Sequence, residues 1–286
     1  MTRPATDSRH YIVAFELHSA EDCPLDFALP DSLAGFDAGL FLPRDDPDWF
    51  GLSSYPPRIL LLKGGALATV SHPSAGEQTN RWAMAQISAV ESGHMLLKGW
   101  LRFAGRGFDC TVRYNTRGSL AVCQFMTRFR SEFLRGAQAR DASTVHLREV
   151  HPGARLDIKF ANALEGELGV AETVQLQVFQ PPEELPATRW RFPRHRRAAG
   201  DLLALTDRRL LWITDREKGF CSRYGSIASY APLDAVSHIA LAPDGLQVDL
   251  NGSAAWQVPI APAYREAVEE LANFVTTSMR SGANLI

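Results

Sequence analysis

Two stretches of this chain, 146 residues apart, change from an apolar period of two to a period of three-to-four. In the first, Cys110, Val112 and Tyr114 alternate with Asp109, Thr111 and Arg113, as in a half-buried strand. After Asn115-Thr116-Arg117-Gly118, the residues Val122, Phe125, Phe129 and Phe133 fall on one helical stripe, and Gly136 offers a stop. In the second, Leu246, Val248 and Leu250 alternate with Gln247, Asp249 and Asn251, and Trp256, Val258 and Ile260 close the sheet. A stripe of Tyr264, Val268, Leu271, Val275 and Met279 follows, with Glu266, Glu269 and Glu270 on the solvent side and Pro262 near the start, where its missing N–H costs nothing. A small antiparallel sheet curls and leaves one end of its apolar interior open. An amphipathic helix across that end removes the remaining area from water, at about 1.5–3 kcal/mol for each large side chain.

The rest of the chain fits two rounds of the same order. Residues 10–18 alternate as a strand through Tyr11, Val13, Phe15 and Leu17. Residues 22–57, rich in Pro, Asp and Gly, read as punctuation without regular structure. Residues 58–70 read as two strands about a Gly64-Gly65 turn, and further strands are predicted at 81–90, 95–103 and 108–114. In the second half, Val174, Leu176 and Val178 alternate with glutamines as a half-buried strand, and 201–213 reads as strand, tight turn, strand. Residues 222–241 are mixed strand and turn.

A shift of 143 lays Leu67 on Leu210 and Val70 on Ile213. A shift of 146 lays Val90 on Val236, Val112 on Val258, Phe125 on Leu271 and Phe129 on Val275. Identity is nearly absent, so the alternatives are a diverged duplication, which we favour, and two unrelated α+β domains that agree by chance. The expected fold class is α+β, with two small antiparallel β-barrel or sandwich domains each closed by a C-terminal α-helix. The expected boundaries are 1–49 for an N-terminal strand and Pro/Asp-rich segment packing on the first domain, 50–136 for that domain, 137–169 for a linker and 170–286 for the second domain. Leu156, Phe160, Ala163 and Leu164 suit a short helix within the linker.

The run Leu202-Leu203-Ala204-Leu205-Thr206-Asp207-Arg208-Arg209-Leu210-Leu211-Trp212-Ile213, followed by Tyr224–Ile227 and Pro232–Val236, resembles the bacterial pleckstrin-homology-like domains related to GRAM domains. The resemblance covers about residues 170–280; the first half shares only the element order and carries Lys63-Gly64-Gly65-Ala66 in place of Thr206-Asp207-Arg208-Arg209. It implies that this turn is architectural, with Asp207 bonding backbone and Arg209 pairing with a nearby carboxylate.

The chain has 286 residues, enough for two domains, and its 45% hydrophobic and 22% charged composition is that of a folded protein. A net charge of −2 supplies no bulk field to gather nucleic acid. Cys23, Cys110, Cys123 and Cys221 are scattered, which fits reduced thiols better than a disulfide framework or zinc site. The first residues lack the apolar run of a signal peptide, and no stretch of about 18 apolar residues occurs. The expected compartment is the cytoplasm, with peripheral contact at a membrane left open. No nucleophile elbow, phosphate loop, dinucleotide fingerprint or zincin motif is present, and no cofactor or metal is expected. His94 and His238 beside strand-like runs, and Asp45, Asp46 and Asp48 in one turn, are read as ordinary surface or turn residues.

The candidate binding segment is Arg189-Trp190-Arg191-Phe192-Pro193-Arg194-His195-Arg196-Arg197, between the strands at 174–179 and 201–206. Arg189, Arg191, Arg194, Arg196 and Arg197 offer planar forks that match phosphate oxygens, His195 adds a switchable charge, and Trp190 suits a headgroup boundary. In pleckstrin-homology-like domains the first inter-strand loop is where lipid phosphates bind. The alternative is a solvated loop, or one whose Trp190 and Phe192 are buried while the arginines pair with acidic neighbours. The expected function is a non-catalytic binding or scaffold protein engaging a protein, a peptide or an anionic membrane surface, with nucleic acid disfavoured. The competing expectation is an enzyme with its site in a cleft between the two domains.

Overall fold

In the computed structural model, the residues described are 7–8, 11–44, 55–72, 78–95, 98–135, 148–149, 156–169, 171–182, 199–215, 225–252 and 255–283. The stretches through Val112 and Val248 become strands and the stripes after them helices, whereas the strand expected at 10–18 is confined to Phe15–Leu17 and the one expected at 81–90 is broken by a 3-10 turn at Met84–Gln86. The first half runs through β1 (Phe15–Leu17), β2 (Ala38–Leu42), β3 (Arg58–Lys63), β4 (Ala66–Ser71), β5 (Thr79–Ala83), β6 (Ile87–Met95), β7 (Lys98–Gly105) and β8 (Phe108–Asn115). A 3-10 turn at Thr116–Gly118 leads into α1 (Ser119–Phe133). After β9 (Arg148–Glu149) and α2 (Ile158–Glu167) come β10 (Val174–Gln180), β11 (Asp201–Thr206), β12 (Arg209–Thr214), β13 (Ser226–Pro232), β14 (Val236–Ala242), β15 (Gly245–Leu250) and β16 (Trp256–Val258). A second 3-10 turn at Pro262–Tyr264 leads into α3 (Arg265–Ala283). The protein is thus mixed α+β with mostly antiparallel sheets and three described α-helices. Among the described residues, from β2 to α1 and from β10 to α3 the order is seven strands, a 3-10 turn and a helix, with a further 3-10 turn at Met84–Gln86 in the first run. The two turns before the helices and the two helix starts are 146 residues apart.

The chain divides into two compact units, one of Met1–Ile87, Leu96–Arg102 and Cys110–Gly136, the other of Ser88–Met95, Phe103–Asp109 and Ala137–Ile286. In the first unit, β1 to β5 form one sheet in chain order, every neighbouring pair antiparallel. The β3–β4 hairpin turns on Gly64 and Gly65 at φ +55° and +70°, where a side chain is disfavoured at both positions. One sheet face, with Leu17, Phe41, Ile59, Leu61, Ala68 and Val70, packs under Cys23, Phe27 and Leu33 of the segment between β1 and β2. On the other face Leu40, Leu60, Leu62 and Leu67 are equally buried, and α1 lies against β1 and β2. Val122, Phe125, Phe129 and Phe133 of α1 are all buried, with Phe129 and Phe133 stacked at 5.3 Å.

The strand β2 corrects the reading of residues 22–57 as irregular. Its sequence, Ala38-Gly39-Leu40-Phe41-Leu42, is buried at every position. A strand covered on both faces has no polar alternation to reveal it, and five residues are too few to announce it otherwise.

In the second unit, β6 pairs antiparallel with β13, which continues through β12, β11 and β10 to a parallel β9. The strands β14, β15 and β16 form a separate antiparallel sheet. One core joins both sheets: Val268, Leu271 and Val275 of α3 meet Leu203, Leu205 and Leu210 on one side and Val236, Leu246 and Val248 on the other. The opposite face of β10–β13 is covered by α2, whose Phe160 ring lies 5.0 Å from that of Phe179. The strand β10 brings a second correction. Gln175 and Gln177, expected on an exposed face of β10, are buried. Among the described residues no sheet closes into a barrel. The outer edge of β13 bonds β6, and helices rather than sheet closure cover the apolar faces.

Candidate functional site

The segment that sequence reasoning singled out lies outside the described residues. It comprises Arg189, Trp190, Arg191, Arg194, His195, Arg196 and Arg197, between β10 and β11 in the chain. Those strands are informative. Gln180 pairs with Asp201, Asp201 with Thr214, and Thr214 with Ile227. The connections β10–β11 and β12–β13 therefore leave the same end of one sheet. The second of them carries Arg216, Lys218 and Arg223 against Asp215 and Glu217. Sequence reasoning passed over these three cations because they are dispersed along the chain. Only strand register brings their segment to the end from which the arginine cluster also departs.

The roots of the two connections are fastened to each other. Gly200 N–H donates to Asp215 Oδ1 at 2.7 Å, and Thr214 Oγ1 donates to the Gly200 carbonyl at 3.2 Å. Gly200 itself is required, because a Cβ there would stand 2.8 Å from the Phe160 ring. Lys159 at the start of α2 reaches Asp215 Oδ2 at 3.5 Å, and Trp212 Nε1 donates to Asp201 Oδ1 at 2.9 Å. Burial, reinforced by the charge of Lys159, pushes the pKa of His94 at this end below its ordinary value. Both carboxylates of this root are buried and engaged.

At the opposite end of the sheet the Thr206–Arg209 turn is built around a buried ion pair. The Arg209 guanidinium donates from Nε to Glu172 Oε1 and from Nη2 to Glu172 Oε2, each at 2.7 Å. Nη2 also donates to the Glu167 carbonyl at the end of α2, and the guanidinium carbon lies 4.6 Å above the Tyr230 ring. Glu172 further accepts from Thr206 Oγ1 at 2.8 Å and from Gly169 N–H at 2.7 Å. Burial raises the pKa of Glu172, but the bonds and charge of Arg209, with the Gly169 and Thr206 donors, outweigh it and hold the carboxyl below its ordinary value. Asp207 accepts from Thr173 N–H at 3.0 Å, which bonds the turn to the segment leading into β10. These contacts tie the turn to the end of α2, to the segment before β10 and to β13.

A third polar group lies in the first unit. Asp26 accepts from Ser8 N–H at 2.7 Å and from the Ser8 hydroxyl, and its Oδ2 meets His72 Nε2 at 2.6 Å. The carboxylate stands between hydroxyl and imidazole. A hydroxyl nucleophile instead needs the imidazole beside it and the carboxylate behind. These contacts clasp the N-terminal segment to the end of β4. Among the described residues no group of three or more His, Cys, Asp or Glu side chains is placed to hold a metal ion, and no helix is long and apolar enough to cross a membrane. Asp45, Asp46 and Asp48 lie outside the described residues. Comparison with protein-family models, with curated proteins and with solved structures finds no match to this chain.

Proposed function

We propose that this chain is a non-catalytic binding or scaffold protein made of two diverged pleckstrin-homology-like domains, and that the second engages an anionic membrane surface through Arg189–Arg197. The observation that carries this reading is the strand register that sends the β10–β11 and β12–β13 connections out of one sheet end. Both connections carry more cations than acids, and their roots are tied together through Gly200 and Asp215. The repeated order of seven strands, 3-10 turn and helix supports the two-domain reading. A basic segment near an anionic leaflet gains about 1 kcal/mol per arginine, enough for reversible attachment by five. The protein then acts from the cytoplasm and joins the membrane peripherally.

Cosedimentation with phosphatidylcholine vesicles, with and without phosphatidylserine, tests this. Binding is expected only to the anionic vesicles, weakening as salt rises. The triple variant Arg194→Glu, Arg196→Glu, Arg197→Glu is expected to lose about a hundredfold in partitioning. Absence of binding at low salt, or binding that charge reversal leaves unchanged, overturns the membrane reading.

A further inference from the structure

The sheet end from which the two basic connections depart also carries apolar residues. Gln180, Asp201, Thr214, Ile227 and Gly93 stand in one row across β10, β11, β12, β13 and β6. Just beyond that row β6 ends at Met95, and the next residues in the sequence are Leu96 and Leu97, before β7 begins at Lys98. A two-residue link between strands ordinarily takes Gly, Asn or Asp, whose backbone suits a tight turn. Leucine offers no such merit.

The helix α2 brings a described apolar residue to the same end. Its direction is fixed by contacts at both of its ends. Lys159, its second residue, reaches Asp215 Oδ2 at 3.5 Å, and the Phe160 ring lies against Gly200. At its last residue, the Glu167 carbonyl accepts from Arg209 of the opposite turn. The first turn of α2 therefore stands where the basic connections begin. Phe160 and Leu164 are the buried residues of this helix; Ile158, roughly half a turn from Phe160, is 76% exposed. Among the described residues the other exposed large apolar side chains are Ile12, Leu25 and Leu120, all in the first unit. The neighbouring acid, Asp157, serves as the helix cap and accepts from Lys159 N–H at 2.8 Å.

A lone exposed isoleucine is ordinary on a protein surface. Beside two cationic segments it completes what an amphipathic membrane contact needs, charge for the phosphates and an apolar side chain to pass between headgroups. We propose that Ile158 is an apolar anchor of the second unit, which enters the acyl boundary when the basic connections meet an anionic leaflet. The occupant follows from charge: cations outnumber acids in both connections, which selects an anionic surface, and the anchor requires one with an apolar interior. This inference rests on the membrane reading and adds to it a component that salt does not screen.

Cosedimentation with vesicles of phosphatidylcholine and phosphatidylserine separates the two components. Ile158→Ala is expected to lower partitioning about tenfold, by the same factor at low and high salt. The effect of reversing Arg194, Arg196 and Arg197 is expected to shrink as salt rises. Ile158→Lys removes the anchor while adding a cation, so charge alone would tighten binding and the anchor predicts that it weakens. Leu120→Ala, comparably exposed in the first unit, is expected to bind like wild type. An environment-sensitive fluorophore attached to the Ile158→Cys variant, in a Cys123→Ser, Cys221→Ser background, is expected to shift to the blue on binding and to be quenched by brominated acyl chains. Circular dichroism matching wild type shows that each variant is folded. If wild type binds but neither Ile158→Ala nor Ile158→Lys is weaker, or the bound fluorophore is neither shifted nor quenched, the anchor is overturned and the membrane reading stands. Absence of wild-type binding at low salt overturns the membrane reading and the anchor with it.

Discussion

Arg209 and Glu172 form a two-bond fork in the second unit, with both side chains almost wholly removed from solvent. Glu172 stands just before β10 and Arg209 begins β12, so the pair joins two strands that share no direct backbone ladder. It also fastens the last carbonyl of α2 through Glu167. The fork is the polar counterpart of the apolar core on the other sheet face.

Breaking this pair from one side leaves a buried charge with no opposite partner. Arg209→Met and Glu172→Met are each expected to cost about 3–5 kcal/mol in urea denaturation. The double variant is expected to cost less than the sum, because no unpaired charge remains. Strict additivity in the cycle would show that the two residues do not act as a pair.

The same carboxyl makes stability depend on acidity in a defined sense. Its pKa in the folded protein lies below the ordinary value of 4.5, so its contribution is complete above that value and is lost as pH falls through the folded value. Thermal midpoints of wild type and Glu172→Gln are expected to converge as pH drops below about 4.5, with the gap widest near neutrality. A gap that stays constant down to pH 3 would exclude Glu172 as the titrating group.

The helix stripes close their units by burying large side chains. Phe129→Ala in α1 is expected to cost about 3–5 kcal/mol and Leu271→Ala in α3 about 2–5 kcal/mol. Leu120→Ala, on the exposed side of α1, is expected to change stability by no more than about 0.5 kcal/mol. Chemical denaturation of the three variants checks the ranking.

Gly245 opens β15 at φ +150°, where an added Cβ would sit 2.2 Å from the Val258 carbonyl oxygen. Backbone strain and collision coincide there, so Gly245→Ala is expected to destabilise by about 2–4 kcal/mol. Gly166→Ala, with open space around its Cβ, is the matched control and is expected to be neutral or slightly stabilising.

The thiols differ in reactivity for a physical reason. Burial first, and then the nearby Asp22 carboxylate, push Cys23 up to about 11, whereas Cys123 on α1 is exposed. At pH 8 an aromatic disulfide reagent is expected to label Cys123 in the native state and to reach Cys23 only on unfolding. Mass spectrometry of the labelled peptides identifies each site.

Much of the local structure was legible because it is periodic. The Gly64-Gly65 hairpin, the strands through Val112 and Val248, and the stripes of α1, α2 and α3 each repeat on a spacing that a local window reads. The strand β2 was not legible, being short and buried on both faces. The burial of Gln175 and Gln177 was hidden for a related reason: alternation along β10 marks which face is polar, and nothing within the strand shows that this face is covered. The pairing of Arg209 with a carboxylate was implied by its turn, yet nothing local chose Glu172 over other acids.

Alone, the sequence determined most of the strands and helices and where the β3–β4 and β11–β12 hairpins turn, since those choices rest on side-chain period and backbone preference within a few residues. Tertiary structure decided which edge β6 bonds, which face α2 covers, and which two basic connections leave one sheet end. Those are choices among partners of similar local merit. They are settled by how much apolar area and how many backbone bonds each arrangement satisfies at once, a sum over the whole folded chain.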